Sequence, residues 1–369
     1  MLMKQKTWPA LELFKALAIG TMVINHSWGK IISQQEIGLH KNTFSLNLAN
    51  AIHALFFFNI WIPALAASSL RLQSELIKNV PGTHSSPPRL ALKWGIILWI
   101  SGYVFSFFSK ESLTFFMFNP LHFLGLSFFL LALLIRFVPR KLNWPISLAF
   151  VGLSFLFYLF KNSLFQFPEI SPYFAPDVSL IQRMQFFALE ILFGTPRTGW
   201  SVFPWFSLCL IGYSLADSYV YLKGESKLFR KFSAISFLVG ISGLLFPSSF
   251  DFIKQQDISG ELLMLFMPFG LFLSVTAGYV FFLTLFSLFY HGIKEPWALL
   301  INSLSRGSFW IFFLQFPLIS NFSIPFQDTP FEIRLFVFPL LVLLWCFGIG
   351  FFILELSKKQ LTIKIRKDG

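Results

Sequence analysis

Apolar runs long enough to cross a bilayer follow one another along this chain from end to end. A hydrocarbon core about 30 Å thick needs roughly 20 residues of helix. Inside it, every backbone N–H and C=O must be bonded within the protein. These two requirements point to an all-α fold, a polytopic bundle of membrane helices. Composition agrees: 55% of the residues are hydrophobic and only 12% charged, with a mean hydropathy of +0.68. A soluble domain carries about twice that charged share. The 52 phenylalanines face lipid or pack between helices, and carry no functional message of their own.

The runs divide into ten spans, near 9–31, 46–70, 92–109, 119–137, 143–160, 200–221, 232–249, 262–290, 298–320 and 335–356. The eighth is long, and is expected to tilt or break near Pro268 and Gly270. With residues at the span edges counted in the adjoining loops, Lys and Arg alternate in density: 19 fall on the side that holds both termini and 8 on the other, with Lys15 and Arg306 well inside spans. The positive-inside rule therefore puts both termini in the cytoplasm. Trp8, Trp94, Trp144 and Trp297 fall near cytoplasmic ends and Trp200 near an external one, as an aromatic belt requires. The net charge of +12 is explained by the same rule, which leaves no call for a nucleic-acid partner. Cys209 and Cys346 both lie in apolar runs, so no disulfide framework is implied. Lys4 and Lys6 precede an apolar run, as in a signal peptide. Glu12 and Lys15 interrupt that run and no small-residue cleavage site follows, so a retained first span is expected.

The expectation is thus one transmembrane domain over 1–369, with membrane lipids around it. It contains one long external segment, 161–199, in which Leu180 to Phe193 has helical spacing between Pro168, Pro172, Pro176 and Pro196. That segment is either a lid on the outer surface or a re-entrant packing element.

The first span carries the strongest chemical signal. Glu12, Lys15, Ile19, Met22 and His26 fall within about 80° of one helix face, so three ionisable groups share it. Such groups are costly in lipid and mark a bundle interior or a wet cavity. Imidazole is the side chain best suited to proton transfer near neutral pH, which makes His26 the leading candidate, with Asn25 beside it. His53, His122 and Gln315 fall at a similar depth on other spans, and suggest a polar layer open to the outside. Lys15 lies about 16 Å inward of His26 at 1.5 Å per residue. Arg306 lies in the inner half of the ninth span. Two inner cations suit an anionic ligand arriving from the cytoplasm; the alternative pairs Lys15 with Glu12 and ties Arg306 to helix carbonyls. No two ligand-type residues at this depth stand three or four apart on one helix, so no metal is predicted. There is also no P-loop, dinucleotide fingerprint, zinc-protease helix or serine-hydrolase elbow.

Four segments together resemble the heparan-α-glucosaminide N-acetyltransferase catalytic-domain-like family of membrane acyltransferases, itself similar to the acyltransferase-3 family. Leu11-Glu12-Leu13-Phe14-Lys15-Ala16 and Met22-Val23-Ile24-Asn25-His26 resemble the family's Leu-Asp-x-Leu-Arg-Gly and Met-Val-x-Asp-His. Leu121-His122-Phe123-Leu124-Gly125-Leu126 is similar to Leu-His-x-Ile-Gly-Leu. Phe203-Pro204-Trp205-Phe206 with Leu210-Ile211-Gly212 is similar to Phe-Pro-Trp-x with Leu-Leu-Gly. Ser305-Arg306-Gly307-Ser308 with Leu314-Gln315-Phe316-Pro317 is similar to Gly-Arg-x-Ser with Leu-His-x-Pro. The resemblance implies acetyl-CoA or another acyl-CoA as cytoplasmic donor, and a hydroxyl or amine of an envelope glycan or lipid as external acceptor. It implies a catalytic His26, with Lys15 and Arg306 binding the donor, and His122, Gln315, Asn25, Glu12, Trp205 and His53 around the substrates. A homodimer and a bacterial cytoplasmic membrane are compatible with it. The chain departs from the pattern where Glu12 and Lys15 replace Asp and Arg, and where Asn25 and Gln315 replace Asp and His. Lysine keeps the charge of arginine without its bidentate fork. Asparagine cannot supply an anion to the histidine. A transporter or lipid flippase using the same polar cavity, or a non-catalytic scaffold, are the alternative readings.

Overall fold

The computed structural model describes residues 8–40, 43–55, 58–78, 86–108, 118–164, 178–193, 201–222, 227–245, 260–289 and 297–368. Among them the regular structure is entirely helical. Three helices are long and apolar enough to cross a membrane: Pro87–Phe107, Pro120–Phe137 and Ile333–Leu356. A fourth is possible by length only as a bent pair, Trp297–Arg306 with Ser308–Gln315, whose axes turn by 69°. The first helix, interrupted by Glu12, Lys15 and Lys30, is not among them. The coarse expectation of an all-helical membrane protein is met, while the count of ten spans and the placement of the termini stay expectations.

The chain divides into two compact units, 63–288 and 8–62 with 289–369. The first contains α4 (Ile62–Lys78, from Pro63 on), α5 (Pro87–Phe108), α6 (Pro120–Phe137), α7 (Asn143–Leu164), α8 (Leu180–Phe193), α9 (Val202–Tyr221), α10 (Lys227–Leu245) and α11 (Gly260–Phe289). Helix α11 runs through Pro268 and Gly270 as one element. Polar stitches join its apolar helices. The Ser68 hydroxyl donates to the Gly212 carbonyl at 2.7 Å and lies 2.8 Å from the Tyr279 hydroxyl, tying α4 to α9 and α11. Ser147 and Ser214 join α7 to α9 at 2.9 Å, and the Trp144 indole donates to Ser218 at 2.9 Å. In lipid, where helix association gains nothing from the hydrophobic effect, such bonds and small-residue contacts fix the packing.

The second unit contains α1 (Pro9–Ile31), α2 (Gln34–Leu39), α3 (Phe44–Leu55), a 3₁₀ turn (Phe58–Trp61), α12 (Trp297–Arg306), α13 (Ser308–Phe322) and α14 (Phe338–Asp368), the last entered through a π-helical turn at Ile333–Val337. Within the run at 46–70 the described elements are α3, the 3₁₀ turn and α4. Pro9 opens α1, where its missing N–H costs nothing, while Glu12 and Lys30 sit at the ends that the helix dipole favours. Ala16, Ile19, Met22 and Val23 of α1 pack on Ile301 and Leu304 of α12, Ile311 and Ile319 of α13, and Phe338, Val342 and Cys346 of α14. Gly307, at the bend between α12 and α13, meets Gly350 of α14. A Cβ on Gly307 would stand 2.6 Å from the Gly350 Cα, and one on Gly350 would collide with the Ser303 carbonyl. The bend is thus wedged against α14 with no room for a side chain.

Candidate functional site

The site is built on α1, α12 and α13. Motif segments about 290 residues apart in sequence meet here. At the end of α1 nearer its start, the Ser305 hydroxyl donates to Glu12 Oε2, and Lys15 Nζ lies 3.7 Å from the same oxygen. The Glu12 and Lys15 side chains are 16% and 15% exposed, so the pair is mostly shielded. Arg306, the last residue of α12, is exposed and makes no hydrogen bond or ion pair among the described residues. Lys15, Arg306 and Glu12 leave one net positive charge at this end. The Glu12–Lys15 pairing foreseen as an alternative does form, whereas among the described residues no helix carbonyl holds Arg306.

Near the other end of α1, Gln315 of α13 lies beside His26, and its Oε1 makes no hydrogen bond among the described residues. Gln315 is fully buried. Its amide Nε2 donates to the Phe312 carbonyl at 3.2 Å and reaches Met22 Sδ at 3.7 Å. Those bonds aim the Nε2 end away and leave the amide oxygen as the acceptor available to an imidazole N–H. Such an oxygen can fix the tautomer and tilt of His26, but it cannot take the proton onward. Asn25 is half-buried on the adjoining face of α1.

The remaining candidates distribute differently. The side chain of His53 lies outside the described residues. Trp205 belongs to the other unit, half-buried in the first turn of α9, just after a cis peptide between Phe203 and Pro204. His122 also belongs to that unit, and its surroundings are those of a structural residue. Asn119 caps α6 by accepting from the Leu121 and His122 amides at 3.0 and 3.2 Å, and its own N–H donates back to His122 Nδ1 at 3.3 Å. This is a reciprocal capping box with histidine in the usual Glu or Gln position. The ring is fully buried, edge-on to Trp99 and Tyr103 at centroid distances of 5.1 and 4.4 Å. It fills the space over Gly102, where a Cβ would stand 2.7 Å from three of its atoms. Because Nδ1 accepts, a neutral ring carries its proton on Nε2, which has no hydrogen-bond partner among the described residues.

One group escaped the sequence reading. Asp217, near the end of α9, accepts from Arg71 Nε at 2.7 Å through Oδ1 and from Arg140 Nε at 2.6 Å through Oδ2. Asn143 Nδ2 adds 3.2 Å to Oδ2, and Arg140 also donates to the Asp217 carbonyl at 2.9 Å. Arg71 reaches Glu75 at 3.0 Å. The available signal was a single carboxylate inside an apolar run whose neighbouring loops carry arginines. Two arginines that charge counting assigned to topology alone are thereby committed to holding α4, α9 and the start of α7 together.

The helix expected at Leu180–Phe193 is present as α8. Its last residue, Phe193, is buried and stacks on Phe203 of α9 at 6.1 Å, while Leu180, Ile181 and Met184 are exposed. The prolines expected to flank it, Pro168, Pro172, Pro176 and Pro196, lie outside the described residues. Among the described residues no group of three or more His, Cys, Asp or Glu stands together as a metal site. Compared with family models, with curated proteins and with solved structures, the chain matches none.

Proposed function

We propose that this chain is an acyl-CoA-dependent membrane acyltransferase of a bacterial cytoplasmic membrane, passing an acetyl or other short acyl group to an envelope glycan or lipid. The observation that carries this is the convergence on α1: the Glu12–Lys15–Ser305 cluster and Arg306 toward one end, and His26 with Gln315 toward the other. The two ends are separated by about 16 Å of helix. A donor with an anionic head and a long thin arm ending in a thioester spans such a distance. Lys15 and Arg306 hold the anionic head. His26 accepts the proton of the acceptor hydroxyl or amine as that atom attacks the thioester carbonyl. The carbon–sulfur bond breaks, and the imidazolium returns the proton to the thiolate. Gln315 orients the ring throughout.

The test is acyl-CoA turnover by the purified protein with envelope lipid or glycan extract as acceptor. General acid–base catalysis contributes on the order of 10²–10⁴-fold, so His26→Ala should lower the rate by at least 100-fold. Equal turnover in both proteins would remove His26 from the chemistry. A second reading is favoured by the 69° bend at Gly307, since discontinuous helices also build transporter sites. Accumulation of a solute in vesicles without acyl-CoA, abolished by Arg306→Ala, would establish it instead.

A further inference from the structure

The face of α1 opposite the ionisable one carries a second feature. Leu13, Ala16, Leu17, Gly20, Thr21, Ile24, Asn25 and Trp28 recur three and four apart, and with α12 and α14 they wall a groove of about 310 Å³. Leu300, Ile301 and Leu304 form one wall and Leu343 of α14 the other. From Leu13 to Trp28 the groove follows roughly 22 Å of helix at 1.5 Å per residue. Leu17, Gly20, Ile24 and Leu300 are only half-buried, so the groove is open along one side.

Its chemistry is sharply divided along its length. The middle is hydrocarbon: the Thr21 hydroxyl is turned back onto the Leu17 and Ala18 carbonyls, both at 3.0 Å, and presents its methyl group. The polar groups collect at one end, Asn25 and the Trp28 indole, which donates to the Leu335 carbonyl at 2.7 Å. Leu343 belongs to the candidate span Ile333–Leu356, whose Leu340, Leu344 and Phe352 are exposed, so the groove is continuous with a lipid-facing surface. A space of this size, walled almost wholly by apolar side chains, suits an alkyl chain. A floor of small residues, Ala16 and Gly20, makes the hollow; a Cβ on Gly20 would only touch Leu343 at 3.9 Å.

We infer that this groove holds one acyl chain of a membrane lipid, with the lipid's polar head at the Asn25–Trp28 end. Asn25 adjoins His26 in the chain, so the head of a lipid seated here arrives at the depth of the imidazole. On the acyl-transfer reading, on which this part alone rests, the acceptor is then a lipid rather than a soluble glycan. The chain site itself stands apart from any catalysis.

The experiment uses the full-length protein in phospholipid vesicles containing a trace of phospholipid with a photoactivatable diazirine in one acyl chain. Labelled peptides are mapped by mass spectrometry. The expected result is labelling at Leu17, Gly20 and Ile24 that saturates at one lipid per chain, against non-saturating labelling at Leu344. Gly20→Phe should cut the groove labelling at least fivefold and leave Leu344 unchanged, and Leu300→Trp, acting from the other wall, should do the same. Gly20→Ala should behave as the parent. Non-saturating groove labelling, or labelling indifferent to both bulky variants while Leu344 shows a folded protein, would overturn the site. Saturating labelling without acyl transfer to any acceptor, lipid or glycan, would keep the groove and sink the acyltransferase reading. Acyl transfer to a glycan alone would keep that reading and remove the lipid acceptor.

Discussion

Single residues carry the sharpest expectations. Lys15→Ala should weaken donor binding by roughly 10-fold or more, the worth of one charge-assisted hydrogen bond, and show it in KM. Lys15→Arg should bind at least as well as the parent, because the guanidinium keeps the charge and adds donors. His122→Ala should cost stability before activity: it removes a ring that is fully buried and reciprocates the Asn119 cap, a loss of about 2 kcal/mol or more from cap and cavity together. Thermal unfolding in detergent measures it, with His122→Gln recovering the cap alone. Asp217→Asn removes the carboxylate that bridges Arg71 and Arg140. Arg71 is 6% exposed and is left with the partly exposed Glu75 as its counter-charge, so about 3 kcal/mol should be lost. At this scale the sequence was half legible. Helical spacing alone placed Glu12, Lys15 and His26 on one face, since that is a property of one helix. The Ser305 hydroxyl on Glu12 and the arginine pair on Asp217 join residues far apart in the chain, which no periodicity encodes.

Elements show what hydropathy does not read. An average over an apolar run measures how well it dissolves in lipid, not which way its backbone points. The run at 298–320 averages as one span, yet it turns at Gly307, where Gly350 leaves no room for a Cβ. Gly307→Leu should therefore fail to pack and lose the folded state in a detergent melt, whereas Gly152→Ala, in open space on α7, should be silent. The short helix α2 is held by a different force. The Arg334 guanidinium lies against the Glu36 carboxylate and, with the Ser33 amide, pulls its pKa from 4.5 down to about 2. A depressed carboxylate pKa contributes stability that is complete above the unfolded value and fades as pH falls through the folded one. The α2 contact should thus be intact above pH 4.5 and weaken steadily toward pH 2. Hydrogen exchange at Ile37 should report the change, and Arg334→Gln should shift its midpoint up toward 4.5.

At the scale of the whole molecule, the loop charges make one expectation that reporter fusions can check: a fluorescent protein fused after Gly369 should fluoresce, and alkaline phosphatase at that position should be inactive. The division into two units was not legible, because it depends on which apolar surfaces find each other rather than on any change of composition. It has a consequence for biosynthesis. The unit that carries Glu12, Lys15 and His26 is made from the two ends of the chain, 8–62 and 289–369. The ribosome delivers α1 first and its partners α12, α13 and α14 last, so the three ionisable groups await their partners while more than two hundred residues are made. Chains cut short before residue 297 never acquire Ser305 or Gln315 and should be cleared by quality-control proteases, while separate synthesis of 289–369 should rescue them. For this protein, completion of the last helices and assembly of the site are one event.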